Sequence, residues 1–282
     1  MKIKAKYALV YSERDLAGKG IAKYVKFLGE FKESGLIDNR KYFRGLNDKV
    51  ILTSFDEDVI YFDFLDKYID AEVFIVLSRH SSEARVKTLS VHHPGNPTEE
   101  ALYGGKPLTL AYAAPITSSL LFRSLHDIAS EANITTEYDV VLEATHHGPT
   151  DVSKPIVFIE IGSSESEWKD ERAQEVVAKA VLRTLKILES KSFENVKVAI
   201  GFGGGHYPRK FTSIVLSGKY FMGHILAKYA LTKVRKEIIH QMIDKSIPKP
   251  RYALIEKKSI KSAIRKELVM QLTNSGLEVI YI

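Results

Sequence analysis

The sequence predicts an α/β fold: three layers, with a mostly parallel or mixed sheet and helices on both faces. Three observations lead there. Short apolar runs rich in Val and Ile recur along the 282 residues. Between them lie amphipathic stretches of roughly 15–20 residues, the length and period of helices that cover a sheet. The composition is 45% apolar and 27% charged, that of an ordinary globular chain.

Taken in order, residues 7–12 (YALVYS) read as a buried strand. Residues 16–32 have helical spacing, with Ile21, Tyr24, Val25, Leu28 and Phe31 on one face. Residues 50–54, 73–78 and 108–113 are further strands. Pro115 opens a helix running to about residue 132. Strands follow at 139–144 and 155–161, then a long helix over 168–188 and a strand over 196–202 that runs into glycines. The tail repeats the alternation, with helices over 232–245 and 260–274 and strands over 252–255 and 277–282. The last has no polar flank and is expected to pair within a sheet. No internal repeat or low-complexity segment is present. Residues 1–282 read as one domain, divisible into two α/β subdomains, with 246–282 as a basic C-terminal part. Ser246-Ile-Pro-Lys-Pro250 is the expected hinge, because two prolines so close cannot continue a helix.

Composition limits the function. No apolar run approaches the roughly 20 residues that span a bilayer. The start, Met1-Lys-Ile-Lys-Ala-Lys-Tyr7, has no apolar core of a secretory signal. The expectation is a cytoplasmic protein without a membrane partner. There are no cysteines. That excludes disulfides, thiolate metal sites and a cysteine nucleophile, so any zinc site must use His, Asp and Glu and is of the open, catalytic kind. Six Asn and three Gln beside abundant Lys and Glu match proteins from hot environments.

The net charge of +6 hides an asymmetry. Residues 1–50 carry 12 Lys/Arg against 6 Asp/Glu, residues 51–200 carry 14 against 24, and residues 201–282 carry 15 against 5. Basic ends of this size suit a polyanion such as RNA, although a solvated surface with intermixed charges has the same composition.

Six of the nine histidines, His80, His92, His93, His146, His147 and His206, fall at the ends of four expected strands. Ligand groups gather just past strand ends in open α/β sheets. A single histidine is ordinarily structural; this set points to one site. Adjacent histidines in an extended segment face opposite ways, so one can ligate a metal while its neighbour works on substrate. We assign His92, His146 and His206, with Glu143 and Glu160, to metal binding. Both glutamates lie inside apolar runs, where an unpaired charge is costly. Glu165 and Asp151 are further carboxylates within reach of the same strand ends. His80, His93, His147 and Asn96 are assigned to catalysis. The run Gly201-Phe-Gly-Gly-Gly205 is neither GxGxxG nor a P-loop. Gly203, Gly204 and Gly205 could present N–H groups to a phosphate or an oxyanion, with Arg209 and Lys210 following. No GxSxG motif supports a serine nucleophile.

Five segments together resemble one family. Ser-Arg-His-Ser-Ser (78–82), His-His-Pro-Gly-Asn-Pro (92–97), Glu-Ala-Thr-His-His-Gly-Pro-Thr (143–150), Phe-Ile-Glu-Ile-Gly-Ser-Ser (158–164) and Gly-Phe-Gly-Gly-Gly-His-Tyr (201–207) are similar to the archaeal and plant type of D-aminoacyl-tRNA deacylase, first described for D-tyrosyl-tRNA. The likeness runs from about residue 73 to the C-terminus. It implies hydrolysis of the ester between a D-amino acid and tRNA, two zinc ions per subunit, a monomer with no obligate protein partner, and a phosphorylase/hydrolase-like fold. Under that reading zinc would lower the pKa of water and polarise the ester carbonyl. The glycine loop or a histidine would stabilise the oxyanion, and a histidine would protonate the leaving 3′-hydroxyl. The basic ends would hold the tRNA through its phosphates. Steric exclusion would reject L-amino acids. Three alternatives stay open: a metal-free, peptidyl-tRNA hydrolase-like enzyme with a histidine base positioned by Asn96 or a carboxylate; a zinc aminopeptidase-like hydrolase; and an RNA-binding module without activity, against which the acidic, histidine-rich middle argues.

Overall fold

The computed structural model describes residues 2–82, 85–232 and 235–282. Eight strands form the larger sheet: β1 (Tyr7–Ser12), β2 (Lys32–Ile37), β3 (Arg40–Gly45), β4 (Val50–Phe55), β5 (Val73–Ser81), β6 (Thr88–His92), β7 (Asp139–Leu142) and β8 (Ile156–Ser163). Their spatial order is β7-β6-β8-β5-β1-β4-β3-β2. Strands β8, β5, β1 and β4 are parallel. β6 and β7 are parallel to each other, but β6 runs against β8. The β2–β3 hairpin closes the other edge antiparallel. A second sheet, β9 (Val198–Phe202), β10 (Phe221–Leu226), β11 (Tyr252–Ile255) and β12 (Glu278–Tyr281), is fully parallel in the order β10-β9-β11-β12.

Helices cover both faces, as the alternation requires. α1 (Leu16–Leu28) starts where the Asp15 carboxylate accepts the Gly18 N–H, and it buries Ile21, Ala22 and Val25. α2 (Pro115–Glu131) begins on proline, whose missing N–H costs nothing at a first turn. α3 (Glu171–Ser190) is capped by Asp170, which accepts the Arg172 N–H. One buried cluster joins α1, α2 and α3 to both sheets through Leu9, Val91, Ile159, Ala199, Met222 and Leu254. On the opposite face of the larger sheet Ala8, Val10, Phe74, Val76 and Phe158 pack under the short helical turns Val59–Phe64 and Leu65–Tyr68. α4 (Arg209–Leu216) follows β9, while α5 (Lys236–Asp244) and α6 (Ser262–Asn274) bury Ile238, Ile239, Leu268 and Leu272 against the smaller sheet.

The α/β class holds, with these differences. The helix expected over 16–32 ends at Leu28, at the Gly29 cap, and the chain turns into β2. The helix over 168–188 divides into Glu165–Trp168 and α3, because Asp170 caps a new start. The run at 108–113 pairs only over Thr109–Leu110. The helix over 232–245 is described as α5; residues 233 and 234 lie outside the described residues, as does Glu83. Strands β2, β3, β6 and β10 were not expected. β2 (KESGLI) is exposed at five of its six positions, so it has no apolar alternation to read. β12 does pair within a sheet, but as its edge. The expected hinge is docked: Ala113 N–H donates to Lys245 O and Ile247 N–H to Ala113 O, at 2.7 and 3.0 Å. Among the described residues no helix is long and apolar enough to cross a membrane.

The scarcity of Asn and Gln, the absence of Cys and the many ion pairs on the surface predict a melting midpoint well above the roughly 45–65 °C of mesophile domains. Thermal unfolding followed by circular dichroism checks this; a midpoint inside that window contradicts it.

Candidate active site

Side chains alternate across a strand, so register decides what meets on a sheet face. On the face away from α1, α2 and α3, three strands line up. His80 of β5, Gly162 of β8 and Thr88 of β6 are neighbours; so are Ser78, Glu160 and Ser90; so are Val76, Phe158 and His92. Glu143 continues β7 beside them, its N–H donating to Val91 O. A polar row thus interrupts an otherwise apolar face. Sequence alone places the cluster past the C-terminal ends of parallel strands. It is instead assembled across strands, because β6 and β7 run opposite to β5 and β8.

The second wall comes from the seam between the sheets. Ala144 N–H donates to His206 O at 2.9 Å and Thr145 N–H to Ile225 O at 2.8 Å, which stitches the segment 144–145 to the smaller sheet. His146 and His147 follow, and His206 closes over them from the loop after β9. Five imidazoles then touch in a chain. Ring centroids are 5.7 Å apart for His80–His206, 4.6 Å for His206–His146, 4.4 Å for His146–His92 and 4.8 Å for His92–His147. Among the described residues three sets have donor atoms within 4.8 Å of one another: His92, His146 and His147; His80, Glu143 and His206; and His92, Glu143 and Glu160.

Local bonds fix how these rings point. His146 Nδ1 lies 2.8 Å from Ala144 O and His147 Nδ1 lies 2.6 Å from Gly148 O. A carbonyl can only accept, so both Nδ1 atoms carry protons and both Nε2 atoms offer lone pairs. His147 Nε2 meets His92 Nε2 at 3.1 Å, while His92 Nδ1 is buried without a partner. His80 is held from behind: Trp168 Nε1–H donates to its carbonyl, and Asp15 accepts the Arg79 N–H. Its Nε2 meets the Tyr207 hydroxyl at 2.8 Å. Gly162 leaves room for its ring; a Cβ there would lie 2.7 Å from His80 Cδ2.

The Glu143 side chain is fully buried. His206 Nε2 is 2.8 Å from Glu143 Oε2 without hydrogen-bond alignment, and neither carboxylate oxygen has a donor aimed at it. His80 Nδ1 is 3.4 Å from Glu143 Oε1 and 3.5 Å from Glu160 Oε2. Burial opposes ionisation of Glu143, but His206, His80, His92 and His146 around it outweigh that and hold its pKa well below the usual carboxylate range. Glu160 moves upward, first through burial and then through the nearby charge of Glu143 despite the opposing His80 contact. Burial also opposes the charging of His80, yet Glu160 and Glu143 prevail and push it up to about 9. Burial holds His92 and His146 well below 6.5 and His147 at about 4, so these rings are neutral at pH 7. Neutral imidazole and carboxylate are the forms that ligate a cation.

The expected site residues therefore separate. His80, His92, His146, His147, His206, Glu143 and Glu160 come together. His93 does not: it points into the seam, where its Nε2 accepts the Ala114 N–H at the start of α2 and its ring packs against His224. Asn96 is not free to position a base, because its amide donates to Gly104 O and Lys106 O. Gly203 and Gly204 are not free oxyanion donors either. Their N–H groups are taken by Leu226 O at 2.8 Å and Ser259 Oγ at 3.0 Å. Positive φ at both, 115° and 76°, accounts for the glycines. Gly205 has open space around it. Arg209 is paired with Asp139 at 2.6 Å. Glu165 pairs with Lys169 and Asp151 with Lys106, both on the surface. Two residues were missed. Tyr207 follows His206 directly and could have been read with it. His224 lies in the unexpected strand β10, where it is fully buried between Thr145 Oγ1 at 2.9 Å and Ala111 O at 3.0 Å. It braces the residue before His146.

An α/β fold that concentrates a buried histidine–glutamate cluster at a seam open to solvent defines a hydrolase-type centre. Likeness to known proteins makes that specific: the chain belongs to the D-aminoacyl-tRNA deacylase family, whose model matches residues 67–280. The chain is 46% identical to a D-aminoacyl-tRNA deacylase of Staphylothermus marinus over 98% of its own length and 99% of the relative's. It is 35% identical to one from Methanocaldococcus jannaschii over 97% and 98%. It also resembles the crystal structure of a conserved protein of unknown function, with a TM-score of 0.88, 34% identity, and coverage of 98% of this chain and 95% of the other.

This geometry makes two predictions. Gly162→Ala drives a methyl group into the His80 ring and should lower turnover about 100-fold, the cost of a misplaced catalytic group. Gly205→Ala, in open space, should stay within about twofold. Equal effects in a turnover assay would contradict the packing argument. The second concerns acid. Burial keeps His93 at about 4 and His224 at about 3, both below the unfolded value of 6.5. Between pH 6.5 and 4 the unfolded chain binds protons that the folded chain does not, so stability rises with pH across that window. Each such histidine contributes a slope of up to about 1.4 kcal/mol per pH unit. Urea unfolding at pH 6.5 and 5 should show a smaller acid loss in His93→Gln than in the unchanged protein; identical losses would count against the buried neutral ring.

Proposed function

We propose that this protein hydrolyses the ester between a D-amino acid and the 3′ end of tRNA, using divalent zinc held by the histidine–glutamate cluster. One observation carries the metal: Glu143, a fully buried carboxylate with no donor on either oxygen, ringed by imidazoles. A carboxylate so placed is costly unless a cation satisfies it. The donor set fits zinc, which takes nitrogen and oxygen ligands and needs no cysteine. The backbone carbonyls that orient His146 and His147 through Nδ1 are the usual supports of a ligating histidine. His92, His146 and His147 would hold one ion; His80, once it gives up its proton to the incoming cation, would hold a second with Glu143 and His206.

Zinc bound there would supply Lewis acidity toward the ester carbonyl and a lower pKa for water. The chain's own residues do the rest. His146 and His206 are partly exposed, 23% and 34% by side chain, so substrate enters from their side. Glu160 lies deeper; its raised carboxyl suits it to take and return a proton near neutrality. The Tyr207 hydroxyl, bonded to His80 Nε2, stands where it can donate to the ester or to the leaving 3′-oxygen. D- and L-esters carry identical groups, so selection between them must come from the shape of the pocket wall. In the metal-free alternative Asn96 drops out as the positioning residue, because its amide is already engaged, and a carboxylate would have to take that part.

The test is deacylation of D- and L-aminoacyl-tRNA with and without a chelator, together with metal analysis of Glu143→Gln, His146→Ala and His206→Ala. The expected result is hydrolysis of the D-ester alone and loss of activity in chelator. The variants should lose metal and fall further than the roughly 10–100-fold typical of residues that only orient a ligand. Full activity after chelation, or retained metal in inactive variants, overturns the metal assignment; hydrolysis of L-esters at equal rate overturns the substrate.

A further inference from the structure

The smaller sheet is fully parallel, so all its strands end at one edge. Three loops leave that edge: Gly203–Tyr207 after β9, Ala227–Leu231 after β10 and Glu256–Ser259 after β11. They are bonded to one another. Lys228 N–H donates to Gly204 O at 2.9 Å, Gly204 N–H to Ser259 Oγ at 3.0 Å, and Glu256 N–H to Phe202 O at 2.9 Å. The order β10-β9-β11 puts the His206 loop in the middle. Lys228 stands on one side of it; Lys257 and Lys258 stand on the other. Neighbouring strands lie about 4.8 Å apart, so the two sides are separated by about 10 Å.

All three lysines are exposed. Among the described residues none of them has a carboxylate within ion-pair distance; Lys257 lies over the Tyr281 ring. Glu256 is the only acidic side chain in the three loops, half-buried and facing Lys210 at 3.9 Å. Beside Lys228, Tyr229 is 50% exposed, although large aromatic residues ordinarily bury most of their surface.

We propose that this edge is a docking platform for the single-stranded 3′ end of an RNA, with phosphates on Lys228, Lys257 and Lys258 and a base stacked on Tyr229. Lysines flanking an exposed aromatic ring are the chemistry that holds single strands without reading sequence. The inference rests on the deacylase reading for its substrate. The ester to be cleaved sits on the last ribose, so the nucleotides before it must lie beside His206, and this edge is a basic surface continuous with His206.

The experiment pairs two measurements on the full chain: kcat and KM for D-aminoacyl-tRNA at several salt concentrations, and anisotropy binding of a short single-stranded RNA ending in CCA. The platform predicts that Lys228→Ala/Lys257→Ala/Lys258→Ala raises KM at least about tenfold and leaves kcat within about twofold. The slope of log affinity against log salt should flatten by about 2, near 0.7 for each phosphate that is no longer neutralised. Tyr229→Ala should weaken RNA binding by roughly 5- to 150-fold, and Tyr229→Phe should restore it. Unchanged KM, salt slope and RNA affinity in the triple variant, with the unchanged protein active on D-aminoacyl-tRNA, overturn the platform and leave the deacylase reading standing. If the unchanged protein is inactive on D-aminoacyl-tRNA, that reading fails, and the RNA binding alone decides: lysine-dependent affinity upholds the platform, and its absence sinks it.

Discussion

A carboxylate with no hydrogen-bond donor, sealed among imidazoles on a sheet face, is the constraint around which the rest of this molecule is arranged. Glu143 is tolerable only if positive charge reaches it. The elements that meet there serve that end. β5 delivers His80 and β6 His92, β8 sets Glu160 between them, and the seam segment and the loop after β9 bring His146, His147 and His206. Strand register sets this meeting. A one-residue slip in β8 would put Ile159 and Ile161 on the polar face and Glu160 into the apolar cluster under α1, α2 and α3. Both faces would then be wrong at once, which holds the register firmly.

Much of the fold was legible. Buried strands such as β1, β5 and β8 are continuous apolar runs, and α1, α3 and α5 carry clear periodicity. What escaped were elements whose burial is decided by tertiary context. The β2–β3 hairpin lies at an edge, with most of β2 in solvent, so its sequence carries charges where a core strand would alternate. β6 reads Thr-Leu-Ser-Val-His: three of its five positions face the polar row, which disguises a fully buried strand as a loop. In β10 Gly223 and His224 interrupt the apolar run, although the whole strand is buried.

The site was readable as a set and not in its details. Seven of the expected residues meet because each sits in a motif that breaks an apolar run. His93 and Asn96 sit in equally conspicuous motifs, yet each is consumed by a backbone group that only the folded chain brings near. Gly203 and Gly204 looked like anion donors because an N–H in a glycine loop is free until some carbonyl or hydroxyl claims it. Leu226 and Ser259 do so from segments far along the chain. Periodicity cannot reveal such partners. It also could not reveal that the smaller sheet, by ending all its strands at one edge, sets exposed lysines on either side of His206.

The proposal that the cluster around Glu143 holds a divalent cation is the one on which everything said of its chemistry hangs. It is tested most directly by diffraction data collected on either side of the zinc absorption edge from crystals grown with zinc. The account predicts anomalous density among His80, His92, Glu143, His146, His147 and His206, with nitrogen and oxygen ligands only. A cluster without such density in crystals of protein that deacylates at full rate would contradict it.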